Sequence, residues 1–350
     1  MNALLGIFLH ALGGFAAGSF YIPLKKVKGW SWESGWLVNG VSAWILLPLV
    51  VALLTVPSVF AVLTDAWTEH APAVGYVFLF GLLWGVGGLT FGLSLRYLGV
   101  ALGTTVALGC CAAFGTLVPP LVEGTLGASF GGTGGRIVLA GLLVCFAGIA
   151  VGGLAGRRRE RDVPGATDGT EVNGEERNTV LGLSVAIVSG LLSACFAFGL
   201  AAGAPLETLA VERGTTPLFQ SSAVLVVLLW GGFLTNAAYC LFMNYRHRSF
   251  GDYTDDRQPL TGNYLWASLA GAVWYFQFMF YGMGASQLGE AYDFASWSVH
   301  MAFIIFFGNL WGLYFREWAG VSAGTKRLLY LSLALLVAAV VLIGAGGNFG

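Results

Sequence analysis

The sequence predicts an all-α polytopic membrane protein, with ten transmembrane helices laid out as two inverted five-helix repeats. Three observations carry that prediction. Of 350 residues, 57% are hydrophobic and only 10% charged, against about 25% charged in soluble domains. Apolar runs of about 20 residues recur along the chain, each able to cross a hydrocarbon core of about 30 Å. The two halves also align without a gap at a shift of 190 residues, which sets Trp84 on Trp274, Phe91 on Tyr281, Gly92 on Gly282 and Leu98-Gly99 on Leu288-Gly289. Unbroken runs such as Leu328 to Ile343 exclude a β-barrel, whose strands alternate over about ten residues. A formal net charge of -1 gives no support for a nucleic-acid partner.

In order, the spans are expected at about 3–22, 35–55, 74–94, 100–121, 136–155, 179–203, 218–243, 262–286, 291–314 and 327–346. The first is read as a retained helix and not a signal peptide, because its basic residues follow the apolar run instead of preceding it. Residues 1–155 form the first repeat and 179–350 the second. The polar stretch 156–178, rich in Arg, Glu, Gly and Asp, is expected to be a flexible linker. Pro23 and Pro205 sit just past the first helix of each half. Five spans per repeat invert the second copy, a plan in which transporters bind substrate near the midplane. With both termini outside, only Arg136 and Arg213 of the 17 Lys and Arg residues fall outside, and 156–178 is cytoplasmic; the positive-inside rule selects that orientation.

Most of the chemistry lies between Trp274 and Trp318, which reads as two helices joined by a turn at Leu288-Gly289-Glu290. On the second, Asp293, Ser296, Trp297 and His300 stand at i, i+3, i+4 and i+7, so a carboxylate, a hydroxyl, an indole and an imidazole share one face. Trp274, Gln277, Phe278 and Tyr281 repeat the spacing on the first. Such groups are expected to face a cavity or each other, because lipid would charge too high a penalty for them. Asp293 is the one acidic side chain placed inside a span, at a cost of about 2.5–3.5 kcal/mol. It reads either as a group that takes up and releases a proton or as a fixed carboxylate at a helix start. His300 and His10, the latter beside Gly13 and Gly14, could relay a proton, bind a hydroxyl, or rest on a backbone carbonyl. Aromatic rings beside amides and hydroxyls suit a sugar, which makes Gln277, Tyr281, Trp274, Trp297, Ser296 and the first-repeat counterpart Trp84 candidate substrate contacts.

Elsewhere the expectations are plainer. Gln220, Asn236, Ser19 and Thr90 are read as interhelical hydrogen-bonding groups. Trp30, Trp32, Trp36, Trp67 and Trp318 are assigned to the interfacial belt, and His70 and His247 to loops away from the site. Glu33, closing KKVKGWSWE, reads as a gate, an ion-pair latch or an interfacial anchor. The five cysteines lack metal-ligand spacing and read as small buried hydrophobes. GGTGG at 131–135 follows no strand, and the single DYTDD at 252–256 has no second copy, so no nucleotide or metal site is expected. Composition and spacing reach a proton- or ion-coupled carrier of a small polar solute.

The strings FYIPLKKVKGWSWES at 20–34, LRYLG at 95–99, YFQFMFYGMG at 275–284 and AYDFASWSVHMAF at 291–303 closely resemble the L-rhamnose–proton symporter family, itself similar to the drug/metabolite transporter superfamily. The resemblance runs from the first helix to the ninth. It implies a multi-pass protein of the bacterial inner membrane that imports L-rhamnose or a related deoxysugar by proton symport with alternating access. The proton would be the coupling ion, with no cofactor, no metal and no enzymatic step. By motif, Tyr21, Lys25, Lys26, Glu33, Gln277, Tyr281, Asp293, Trp297 and His300 match. Proton coupling is expected of Asp293, His300, His10 and Glu33, and substrate binding extends to Tyr21. Departures are the stretch WGVGGLTFG at 84–92, without the asparagines expected there, and a long acidic linker. Export of amino acids or other small metabolites, a sugar receptor without transport, and an intramembrane enzyme are the competing classes; the last lacks a second metal-ligand cluster.

Overall fold

Asn2 accepts the Leu5 N–H at 3.2 Å and caps the first helix, and from there the chain is helical at every long apolar run. The computed structural model describes residues 2–163, 179–288 and 293–346, without the side chains of Val100, Asp293 and Phe294. Helix α1 (Ala3–Ser19) is followed by one further turn, Tyr21–Leu24. α2 (Trp32–Gly40) passes through a π-helical stretch, Val41–Leu46, into α3 (Leu47–Thr55). Then come α4 (Val59–Glu69), α5 (Ala71–Leu98), α6 (Val100–Val122) and α7 (Gly132–Asp162). The second half holds α8 (Thr179–Ala202), α9 (Ala204–Glu212), α10 (Ser222–His247), α11 (Leu260–Leu288), α12 (Asp293–Tyr314) and α13 (Ala323–Gly346). Between α5 and α6 the chain turns at Gly99, whose φ of 81° suits glycine. Glu160 Oε1 then accepts the Ala101 N–H at 2.7 Å, filling an orphan donor of the α6 start.

Among the described residues, nine helical stretches are long and apolar enough to cross a membrane. α11, at 29 residues, is long enough but not among them; it carries Trp274, Gln277 and Tyr281, the groups that dilute its apolar character. Two expectations need correcting. α7 continues through Asp162, past the expected boundary at 155. The loops after the second and sixth spans contain α4 and α9, tied by an Asp65–Arg213 ion pair. The turn at 289–290 lies outside the described residues.

Packing is reciprocal between the halves. The first long helix of each half packs on the third and fourth of the other: α1 on α11 and α12, and α8 on α5 and α6. The second of each packs on the third of the other (α2 on α11, α10 on α5), and the fifth helices α7 and α13 pack together. α1 and α12 run side by side in the same sense, with Gly14 against Phe303, Gly18 against Gly308 and Ser19 bonded to Trp311. α11 runs opposite to α1, so Gly6 meets Gly284 while Gly13 meets the Gln277 carbonyl. The main core includes Trp44, Phe196, Leu228, Tyr275, Phe278, Trp297 and Leu336.

Candidate functional site

Half-way along α1, His10 meets Tyr281 of α11 and His300 of α12. Their ring centroids stand 5.4 Å (His10–Tyr281), 5.8 Å (His10–His300) and 5.1 Å (Tyr281–His300) apart. Glycine makes this approach possible, because a Cβ on Gly13 would fall 2.8 Å from His300 Cε1 and one on Gly284 2.9 Å from His10 Nε2. The imidazoles are 0% and 2% exposed. Neither nitrogen of His10, nor Nδ1 of His300, has a hydrogen-bond partner among the described residues. Leaving a buried polar group unpaired costs about 1–3 kcal/mol, so this pair is expensive to keep for packing alone. An imidazole is both a hydrogen-bonding group and one that can take up and release a proton.

Trp297, one helical turn before His300, sits 5.5 Å from the Tyr281 ring. Its Nε1–H donates to the Cys111 carbonyl at 3.0 Å, and its indole fills the space over Gly115. Ser296 and Gln277 are both buried. From Trp297 a run of rings continues through Phe196 (5.8 Å) to Phe278 (4.8 Å further) and Trp84 (5.4 Å from both phenyl rings). Trp84 and Trp274, aligned by the internal repeat, flank Trp44 at 5.8 and 5.9 Å. Trp36 closes on Trp274 at 5.2 Å, and Phe20 links Trp274 to the exposed Tyr21. The run thus ends at the edge bearing Lys25, Lys26 and Lys28.

At that edge lies a second polar cluster. Glu33, in the first turn of α2 where a carboxylate complements the helix dipole, is 4% exposed. Its Oε1 accepts the Ser249 hydroxyl at 2.8 Å and stands 3.0 Å from Nδ1 of half-exposed His247. Ser34 Oγ lies 3.1 Å from Asn244 Oδ1 and 2.8 Å from Asp252 Oδ2, and Asp252 also accepts the Ser31 N–H. Among the described residues no group of three or more His, Cys, Asp or Glu side chains could hold a metal ion.

Residues 1–348 match the family described as L-rhamnose-proton symport protein (RhaT). The chain belongs to the RhaT family. Among its curated relatives named "L-rhamnose-proton symporter", that of Cronobacter sakazakii is 34% identical over 349 residues, covering 98% of this chain and 97% of the relative. That of Mannheimia succiniciproducens is 34% identical over 348 residues, covering 99% and 98%. The Escherichia coli K12 relative is 33% identical over 346 residues, covering 98% and 97%.

Within this RhaT-family fold, His10, His300, Tyr281, Trp297, Trp84 and Trp274 belong to one connected set of rings, with Gln277 and Ser296 on the same two helices. Tyr21 and Glu33 lie apart, at the lysine-bearing edge. Asp293 is the first residue of α12, and its side chain lies outside the described residues. The sequence placed Asp293 alone inside a span; among the described residues the candidate span in this helix begins at Ala295. Glu33 lies within the candidate span Trp32–Thr55, as do Glu160 and Asp162 within Gly132–Asp162 and Glu207 and Glu212 within Thr179–Glu212. His247, assigned to a loop, closes α10 and pairs with Glu33. Of the tryptophans expected in the interfacial belt, Trp36 donates through Nε1 to Asn236 Oδ1 at 3.1 Å, and Trp318 is buried with the Arg159 guanidinium 5.4 Å from its ring. Trp44 and Phe196 were missed because each stands in an apolar run that gives no local sign of its partners. The Trp84–Trp274 repeat match was the one available signal for the first of them.

Proposed function

We propose that this chain imports L-rhamnose, or a closely related deoxysugar, across the bacterial inner membrane together with a proton, by alternating access of two inverted five-helix repeats of the drug/metabolite transporter type. The observation that carries the reading is the RhaT-family match over residues 1–348, joined to a buried imidazole pair where a carrier needs a proton-binding group. Ten spans, with α11 as the eighth, are supported by relative direction. Helices one and nine (α1, α12) run parallel, and one and eight (α1, α11) antiparallel, as an alternating path of ten requires. The reciprocal packing of residues 1–155 and 179–350 supports the inverted repeat. The positive-inside rule then puts both termini outside, the lysine-bearing edge inside, and 156–178 in the cytoplasm.

In that orientation the start of α12 lies at the outer end, the His10–His300 pair in the middle and Glu33 at the inner edge. Asp293 receives the proton from outside, His300 and His10 hold it beside the sugar, and Glu33, through half-exposed His247, releases it inside. Tyr281, Gln277 and Ser296 bind sugar hydroxyls while Trp297, Trp274 and Trp84 pack its C–H faces, with Tyr21 at the inner mouth. A proton entering down about 100 mV supplies about 2.3 kcal/mol, enough for roughly 50-fold accumulation. No cofactor and no bond-making step take part.

Proteoliposomes with an imposed acid-outside gradient test this reading. L-rhamnose accumulation should require the gradient, and uptake indifferent to it would overturn the coupling. Asp293→Asn should abolish accumulation while leaving sugar-induced thermal stabilisation intact; normal accumulation would make Asp293 structural.

A further inference from the structure

We infer that Trp36, Trp44, Trp84 and Trp274 form the inner gate of the transport path, and that the indole N–H groups of Trp44 and Trp274 hydrogen-bond the hydroxyls of the sugar as it passes. The inference rests on the import reading above and adds a step to it. Three observations support it. The four rings come from α2, the π-helical stretch, α5 and α11, and they pack edge to face with centroids 5.2–6.0 Å apart. Rings that close leave no space for a hexose between them. Along α11, Trp274 precedes Tyr281 by seven residues, or about 10 Å at 1.5 Å per residue. The box therefore stands between the His10–His300 pair and the lysine-bearing edge.

The second observation is the state of the donors. Trp36 Nε1 is bonded to Asn236, but Nε1 of Trp44 and of Trp274 are buried without a partner among the described residues. Trp44 is 2% exposed. A phenyl ring would fill a hydrophobic core without that cost. Two indole donors held ready, with ring faces around them, match a neutral polyhydroxylated ring: hydroxyls accept the N–H groups and C–H faces stack on the rings.

The third is the winding of the helix that carries Trp44. Trp44 stands in Val41–Leu46, a stretch wound with π-type hydrogen bonding, a departure frequent at functional sites. Asn39, just before it, is fully buried with neither amide atom bonded among the described residues. Trp36, fastened to Asn236, is the fixed jamb; Trp44 is the moving leaf.

The test uses Trp44→Phe and Trp274→Phe, which keep a ring and remove the N–H, with Trp36→Phe as the control whose N–H is spent within the protein. Gradient-driven L-rhamnose uptake into proteoliposomes is measured beside rhamnose Kd and thermal unfolding of the purified proteins. The expected result is a maximal uptake rate at least fivefold lower in both test variants. Because the phenyl ring keeps the face that packs on the sugar, their Kd should weaken far less than their rate falls, and their Tm should be no lower. Trp36→Phe should instead lower Tm. A merely structural role would lower Tm and rate together. Rates within twofold of wild type in both test variants would overturn the gate, as would a Kd that weakens in step with the rate. If Trp44→Phe does not fold, half-buried Trp274→Phe decides alone. Wild-type protein with no gradient-driven uptake would overturn the import reading and the gate with it, whereas wild-type uptake with unaffected variants overturns the gate only.

Discussion

Glu33 and His300 are nearly equally buried, 4% and 2% exposed, yet the chain surrounds them in opposite ways. Around Glu33, hydrogen bonds are made: Ser249 and His247 reach its carboxylate, and Ser34, Asn244 and Asp252 bond beside it. These contacts join the start of α2 to the end of α10 and the turn that follows. At His300 Nδ1 and at both nitrogens of His10 they are not made among the described residues, nor at the nearby indole donors of Trp44 and Trp274. A filled network fastens elements together, because breaking it strands a buried charge. An unfilled one contributes little to the fold and keeps its bonding capacity for something that arrives.

Substitutions at three positions separate the two kinds of site. The largest effect is expected at Glu33. Glu33→Ala removes two hydrogen bonds to a charged group and should cost about 3 kcal/mol of stability, read from denaturant or thermal unfolding in detergent. Glu33→Gln keeps an acceptor for Ser249, so it should unfold near the wild type while slowing proton-coupled uptake; equal destabilisation by both would leave Glu33 no role beyond the clasp. Next is His300→Asn, which keeps a polar group and removes titration. It should collapse accumulation from roughly 50-fold to none, a loss of about 2.3 kcal/mol of coupling, with unfolding unchanged. A lowered Tm with coupling intact would reverse the contrast between the two regions. The smallest effect is at Trp297→Phe, whose N–H is already satisfied by Cys111. It should cost about 1 kcal/mol of stability and leave the pH dependence of uptake as it was.

Much of this architecture is legible in the sequence, because lipid imposes length and apolarity on every span. The ends of α6, α8 and α13 fall within a few residues of their expected places for that reason. α11 was found by length and by its repeat partner, although its own polar and aromatic side chains make it the least lipid-like of the long helices. The helical faces of 274–288 and 293–300 were legible too, since 3.6-residue periodicity is local. Contacts made across more than a hundred residues were not. No local pattern ties Trp44 to Trp274, Phe196 to Trp297 or Glu33 to His247. The π-helical stretch was equally hidden, because VSAWIL looks like any apolar turn. α4 and α9 escaped because each is too short to span and reads as loop.

The paired helices α2–α3 and α10 carry a mechanical consequence. At the lysine-bearing edge they are joined through Ser34 and Asn244. At the far end, Thr55 Oγ1 lies 3.1 Å from Ser222 Oγ, and Ala52, Val56, Val59, Ala223 and Val226 form a small core of their own. A strut pinned at both ends cannot tilt away from its neighbour; it can only bow. The place where this one is wound differently is between the two pins, at Val41–Leu46, the stretch that carries Trp44.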